Sequence, residues 1–142
     1  MKHYFAPVLL LVIAIFSFNN RIHAQDIKFE NGIVIIDGKE CLRFEGSNPN
    51  SLEFTTLNGD QTIFLKYLRN ELYVERGLYN KIIFAEQKKS LTSVTFIFTR
   101  KTFLNKLIQD RVLVDCRIDT TQLDKFIMKH DEDVENLLIR RR

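Results

Sequence analysis

The sequence predicts an α+β protein, with an antiparallel meander of six to seven strands followed by two C-terminal helices packed on the sheet. Two observations indicate this fold. In the chain that begins at Gln25, hydrophobic and polar residues alternate over roughly the first two thirds, between short turn segments. After Arg100 the hydrophobic residues recur at the three- to four-residue spacing of a helix. A small β-barrel with an outer helix is the alternative, because closure also removes the edges of a sheet.

The first hairpin is predicted at Asp37-Gly38. A β-branched run at residues 33–36 precedes this dipeptide, and Leu42 and Phe44 continue in alternation after it. Asp-Gly is a strong hairpin signal because both residues tolerate the positive φ of a type I′ turn. Residues 46–50 then have the composition of a loop.

A second hairpin is predicted around residues 58–60, with strands over residues 52–55 and 63–68. Residues 70–74 are compatible with a short strand or a loop. A further strand is expected over residues 81–86, followed by a charged turn at residues 87–90. Val94, Phe96 and Phe98 alternate with polar or smaller residues, which predicts the last strand of the meander.

The helical part begins with apolar residues at Phe103, Leu104, Leu107 and Ile108, which predict a helix of about ten residues. A short strand is expected within residues 112–118. Asp119, with Gln three positions later, has the spacing of a capping box. An apolar stripe over residues 123–138 then predicts one amphipathic helix of some 20 residues, packed on the sheet.

The first 24 residues have the pattern of a signal peptide, and residues 25–142 form the predicted single α+β domain. A basic start is followed by an uncharged run over residues 5–18, and Ala24 is a small residue at the expected cleavage position. That run is shorter than the roughly 20 residues of a membrane-spanning helix. The form of the signal looks bacterial, so we expect a secreted or periplasmic protein with no integral membrane span after cleavage.

Charge gives no reason to expect a nucleic-acid partner. Cleavage after Ala24 removes Lys2 and Arg21 but no acidic residue, so the formal net charge of +3 falls to about +1. Nucleic-acid binding needs clustered positive charge. The arginines at positions 140–142 are interpreted as a solvated terminus.

Cys41 and Cys116 are the two cysteines of the chain. In an oxidising compartment they are candidates for a disulfide, but sequence does not show whether their Cα atoms approach within bonding distance. Two buried, unlinked thiols are the favoured interpretation. Neither cysteine lies in a C-x-x-C motif, so no zinc or redox signature is present.

Catalytic and metal-binding motifs are sparse, so no metal, cofactor or enzymatic activity is expected. With the signal removed, His130 is the remaining histidine, and its place on the apolar stripe favours a satisfied core residue over a catalytic base. The acidic cluster at residues 131–135 lacks the order of a calcium loop and is interpreted as a solvated helix face. Glu45, Glu53 and Glu86 leave a carboxylate-dependent hydrolase as an alternative, if strand order brings two of them together.

Aromatic residues suggest two binding features. The strand phenylalanines are interpreted as core, although a curled sheet would let some of them line an apolar ligand cavity. Tyr73, Arg76 and Tyr79 flank Gly77 in a stretch whose favoured interpretation is a plain surface connection; a partner-contact loop is the alternative, because Tyr and Arg are enriched at interfaces.

These observations predict a small exported, non-catalytic binding or interaction protein whose partner is an unidentified protein or a small apolar ligand. The alternatives are the carboxylate-dependent hydrolase and a structural protein that assembles by adding its sheet edge to a neighbour's sheet.

Overall fold

The computed structural model describes residues 25–48, 50–69, 77–95 and 99–139. Seven strands form one antiparallel sheet in which each strand pairs with its neighbours in the sequence, and the sheet is not closed into a barrel. The α+β meander is therefore confirmed, and the barrel alternative is wrong. The strands are β1 (Ile27–Glu30), β2 (Ile33–Ile36), β3 (Lys39–Asn48), β4 (Ser51–Thr56), β5 (Thr62–Arg69), β6 (Leu78–Phe84) and β7 (Lys89–Ser93).

The remaining elements follow the sheet in sequence. Helix α1 (Arg100–Gln109) is followed by a small hairpin, β8 (Leu113–Val114) and β9 (Arg117–Ile118). The chain ends in helices α2 (Thr120–His130) and α3 (Val134–Ile139). No helix in the described part of the chain has the length and apolar character needed to cross a membrane.

Two-residue turns set the register of the first three strands. Asp37 and Gly38 have φ values of 50° and 81°, and Ile36 pairs directly with Lys39 across them. The predicted Asp-Gly hairpin is thus confirmed. An equivalent turn at Asn31 and Gly32 joins β1 to β2, and β1 is a strand that the sequence pattern did not predict.

Three strand predictions differ from the structure. Residues 46–48 are not in a loop, since β3 continues to Asn48 and Gly46 pairs with Leu52 of β4. The last strand occupies Lys89–Ser93, so residues 89 and 90 lie in the strand and not in the predicted turn. Val94 and Thr95 form a bend after it, while residues 96–98 lie outside the described residues. The predicted element at residues 70–74 also lies outside them.

The core lies between one face of the sheet, termed the inner face, and helices α1 and α2. Phe54 and Phe84 on the sheet and Phe103 and Phe126 on the helices have 1% or less of their surface exposed. The ring centroids of Phe54 and Phe103 are 5.8 Å apart. Complete burial of a large apolar side chain is worth about 1.5–3 kcal/mol, so this layer accounts for much of the stability. Phe54 and Phe84 are core residues, as predicted for the strand phenylalanines, but Phe64 alternates with the buried Ile63 and Leu65 and lies on the opposite face of the sheet.

Helices α1 and α2 begin as the sequence predicts. The hydroxyl of Thr99 accepts a hydrogen bond from the N–H of Thr102, and the Asp119 carboxylate accepts from Thr121 and Gln122. Side-chain oxygens at this position satisfy N–H groups that have no partner within the helix. The side chain of Asp119 therefore caps the helix as predicted. The reciprocal contact of a capping box, to the N–H of Asp119, is replaced by a hydrogen bond from that N–H to the carbonyl of Val112.

The predicted helix of some 20 residues is divided in two. Helix α2 ends at His130, and residues 131–133 form an irregular connection before α3. Asp133 has a φ of 49°, which is outside the helical range. The two helices pack on opposite faces of the sheet, as the contacts described below show.

The cysteines are joined. A disulfide links Cys41 of β3 to Cys116 in the turn between β8 and β9, with the Cα atoms 4.9 Å apart. The favoured interpretation of two unlinked thiols is therefore wrong. The two cysteines lie close together because β8 and β9 return the chain to the start of β3 after helix α1. The sequence alone does not show this distance.

The disulfide closes a loop with a sequence separation of 75 residues. We expect the double variant Cys41→Ala/Cys116→Ala to lose about 4 kcal/mol of unfolding free energy, because the unlinked denatured chain regains loop entropy. Urea denaturation of the oxidised protein and the variant measures this difference. A variant as stable as the oxidised protein would contradict a structural role for the bond.

Candidate ligand-binding site

The face of the sheet opposite α1 and α2, termed the outer face, carries an open pocket. The pocket has a volume of about 590 Å³ and lies mainly along β5. Phe64, Lys66 and Leu68 belong to the outer face because they alternate with the buried Ile63 and Leu65. Its lining residues are Asn50, Ser51, Phe64, Lys66, Tyr67, Leu68 and Arg69.

Apolar and cationic groups meet in this pocket. The Nζ atom of Lys66 lies 5.9 Å from the centroid of the Phe64 ring, within range of a cation–π interaction. Within the described part of the chain, neither Lys66 nor Arg69 has a carboxylate within ion-pairing distance. Tyr67 and Arg69 also border the pocket, but they alternate with Lys66 and Leu68 and so belong to the inner face, where Tyr67 packs against the core and burial raises the pKa of its hydroxyl. The pocket is thus suited to a ligand with an apolar part and a negative charge.

Helix α3 covers the neighbouring part of the outer face. Glu135 accepts hydrogen bonds of 2.8 and 2.7 Å from the Lys81 ammonium, and the Tyr79 hydroxyl lies 3.5 Å from the same carboxylate. Burial is the main cause that raises the pKa of Tyr79, and the negative charge of Glu135 adds to it. Tyr79 and Lys81 alternate with the core residue Ile82, so these contacts place α3 on the outer face.

The chain reaches that face by crossing the edge of β7 at residues 131–133, termed the acidic crossing. Asp131 accepts a hydrogen bond of 2.9 Å from the Thr92 N–H, and the Glu132 N–H donates to the Thr92 carbonyl. Glu132 also accepts from the Ser93 hydroxyl and the Val94 N–H, each at 2.9 Å. The prediction of a solvated helix face is therefore wrong for Asp131 and Glu132, which bind outward N–H groups at the edge of the sheet.

Electrostatics at the acidic crossing favour the ionised carboxylate. Burial acts to raise the pKa of Glu132, but hydrogen bonds from Thr95, Val94 and Ser93 outweigh it and lower that pKa. Because the folded pKa lies below the unfolded value, the stabilisation is present above the unfolded pKa and is lost as pH falls through the folded one.

His130 is a satisfied core residue, as predicted. It is 5% exposed, and its Nε2 lies 2.9 Å from Oδ2 of Asp110, the residue that ends α1. Burial opposes ionisation of Asp110, yet hydrogen bonds from His130 and Lys129 hold the pKa of this carboxyl below its usual range. The pair joins the ends of α1 and α2 in the inner layer, away from the outer-face pocket.

The remaining predicted site residues do not form the sites predicted for them. Tyr79 is buried in β6 and therefore does not belong to an exposed contact loop, while Tyr73 and Arg76 lie outside the described residues. Glu45 and Glu53 are direct cross-strand neighbours on β3 and β4. Neither lines the pocket, and Glu86 instead accepts a hydrogen bond from the Thr62 N–H.

Two further features bear on chemistry. A smaller pocket of about 160 Å³ lies beside the disulfide, lined by residues that include Ile36, Ile108 and Leu113. Among the described residues no group of three or more His, Cys, Asp or Glu side chains is placed to hold a metal ion. No sequence pattern singles out Lys66, because its place opposite Lys81 depends on the strand register. Comparison with protein-family models, curated proteins and solved structures finds no match to this chain.

We expect Glu132→Gln to lower the unfolding free energy by about 1 kcal/mol at pH 7, because a charge-assisted hydrogen bond is stronger than its neutral counterpart. The deficit shrinks as pH is lowered through the pKa range of glutamate, where the native carboxylate is protonated as well. Urea unfolding at pH 7 and at acidic pH measures both effects.

Glu30→Gln is the matched control, because Glu30 is exposed and makes no hydrogen bond through its side chain within the described residues. A deficit for Glu132→Gln that is independent of pH, or equal to that of Glu30→Gln, would contradict the role assigned to the Glu132 charge.

Proposed function

We propose that this chain is an exported binding protein without catalysis of its own, and that its partner binds the outer-face pocket along β5. The observation that carries the proposal is the combination of Phe64 and Leu68 with Lys66 on the outer face, beside one open pocket. Apolar surface supplies affinity at such a site, and a few charged groups supply orientation and specificity.

Export is supported by the signal-like first 24 residues and by the Cys41–Cys116 bond. Disulfides persist mainly in oxidising compartments, such as the periplasm or the cell exterior. The bond is a weaker argument than the leader, because it follows from the positions of the two thiols and not from the compartment itself.

The hydrolase alternative draws on the cross-strand pair Glu45 and Glu53. Glycosidase chemistry needs two carboxyl groups about 5–10 Å apart with a substrate held between them. Glu45 is exposed on an open strand face, and the two acids do not line the pocket at Phe64. Binding is therefore the better-supported function.

The strand-addition alternative requires an available sheet edge. At β7 the acidic crossing already binds the N–H and C=O groups of Thr92. At the opposite edge, β1 has only four residues and carries the exposed charges of Lys28 and Glu30. Short, charged edge strands disfavour pairing with another chain, so strand addition is not the function we propose.

Site-specific photo-crosslinking tests the proposal. A benzophenone amino acid replaces Phe64 in one variant and Met128 in the control, since Met128 is 85% exposed on α2 in the other layer. Both variants are expressed in cells that export the protein. We expect one discrete adduct from position 64 and none from position 128, with the mature chain beginning at Gln25 by mass spectrometry.

Equal adducts from both positions, or none from position 64, would contradict binding at the outer face. A retained leader would contradict export by cleavage. Adding Glu53→Gln to the position 64 variant separates the hydrolase alternative, because a binding protein keeps its adduct and releases no altered ligand in either form.

A further inference from the structure

The outer face places two lysines directly opposite each other. Lys66 of β5 and Lys81 of β6 are Cα partners in the antiparallel ladder. Like charges in this arrangement are destabilising unless an anion lies near them. Glu135 of α3 supplies that anion to Lys81 through two hydrogen bonds. Within the described residues no carboxylate does the same for Lys66.

The contact with α3 shows which chemistry the outer face accepts. Val134, next to Glu135 in sequence, is 1% exposed, and its N–H donates to the hydroxyl of Thr92. The Tyr79 hydroxyl approaches the Glu135 carboxylate from the sheet. An acidic side chain beside a buried aliphatic one is therefore the pattern that already binds this face.

The adjoining pocket offers the same two features, positive charge and apolar surface. No acidic side chain of the described residues binds there as Glu135 binds Lys81. Lys66 supplies positive charge, and Phe64 and Leu68 supply apolar surface. We propose that the outer-face pocket recognises an acidic peptide segment of another protein, one that presents an Asp or Glu side chain beside an aliphatic residue. This inference rests on the proposed function and specifies the ligand of that same site.

The neighbouring charges favour a peptide over an extended polyanion. Glu53 is the Cα partner of Phe64, and Glu45 is the partner of Glu53, so a row of two acids borders the pocket. A lipid surface or a nucleic acid would bring many phosphates against these carboxylates, which is unfavourable. A single carboxylate at Lys66 avoids that repulsion.

A peptide titration tests the inference. The probe is the acetylated and amidated pentapeptide with the sequence of residues 133–137, DVENL, and its neutral counterpart is NVQNL. Each is titrated into the isotope-labelled exported protein and followed by amide chemical shifts. We expect the acidic peptide to shift Ser51, Phe64 and Lys66, with a Kd on the order of 0.1–1 mM.

Charge variants provide the control. Lys66→Glu is expected to weaken the acidic peptide by about tenfold or more, since loss of an ion pair and a new repulsion both oppose binding. Lys125→Glu should leave its affinity unchanged, because Lys125 is an exposed lysine of α2 without an ion pair within the described residues. Rising salt should weaken binding to the unaltered protein.

Each other outcome decides against the inference. Equal binding of both peptides at the same amides would overturn charge recognition while leaving the outer-face site intact. Shifts confined to Tyr79 and Lys81 would mean that the peptide only displaces α3. Absence of binding would overturn the inference that the ligand is an acidic peptide. The photo-crosslink at position 64 then tests the outer-face site independently. Copelleting with phosphatidylglycerol vesicles that is lost in Lys66→Glu would assign the site to a membrane surface instead.

Discussion

The hydrogen bonds between the acidic crossing and the edge of β7 are the interaction on which the rest of the molecule depends. Helix α2 packs on the inner face and α3 on the outer face, so the chain has to pass around one edge of the sheet between them. Asp131 and Glu132 make that passage by accepting from the N–H groups of Thr92 and Val94. Buried backbone N–H groups need a partner, and the same contacts remove an edge that would otherwise pair with another strand.

This passage also determines which part of the outer face is covered. Once the crossing is formed, Val134 and Glu135 lie over β6 and β7, and Glu135 neutralises Lys81. The helix α3 has six residues, which is too short to be stable alone in water. Its position therefore depends on these contacts, and the ion pair of Glu135 is made with Lys81 and not with Lys66.

Sequence predicted the parts of the fold whose signals are local. The Asp37-Gly38 turn and the start of α2 at Asp119 depend on residues within four positions of each other. The division between α2 and α3 is different. The helical spacing of apolar residues is the same before and after residues 131–133. The helix stops because Thr92 and Val94, about 40 positions earlier, bind the carboxylates of Asp131 and Glu132. A periodicity argument contains no information about such a partner.

Other differences have similar causes. The strand β1 has only two inward apolar residues, Ile27 and Phe29, which is too short an alternation to stand out from its charged neighbours. The composition around Gly46 predicts a loop, yet cross-strand pairing with Leu52 keeps this glycine in the ladder. The candidate site could not be predicted without the β5–β6 register, because only the register shows that Lys66 lies opposite Lys81. The disulfide likewise required the distance between Cys41 and Cys116.

Amide hydrogen exchange of the full exported protein tests the central claim, that the acidic crossing closes the β7 edge and holds α3 on the outer face. In the unaltered protein the amides of Thr92 and Val94 should be protected, although both point away from β6. In Asp131→Asn/Glu132→Gln they should exchange faster by about tenfold or more, while the amide of Leu65 in the middle of the sheet is unchanged. Rapid exchange of Thr92 and Val94 in the unaltered protein would contradict the account.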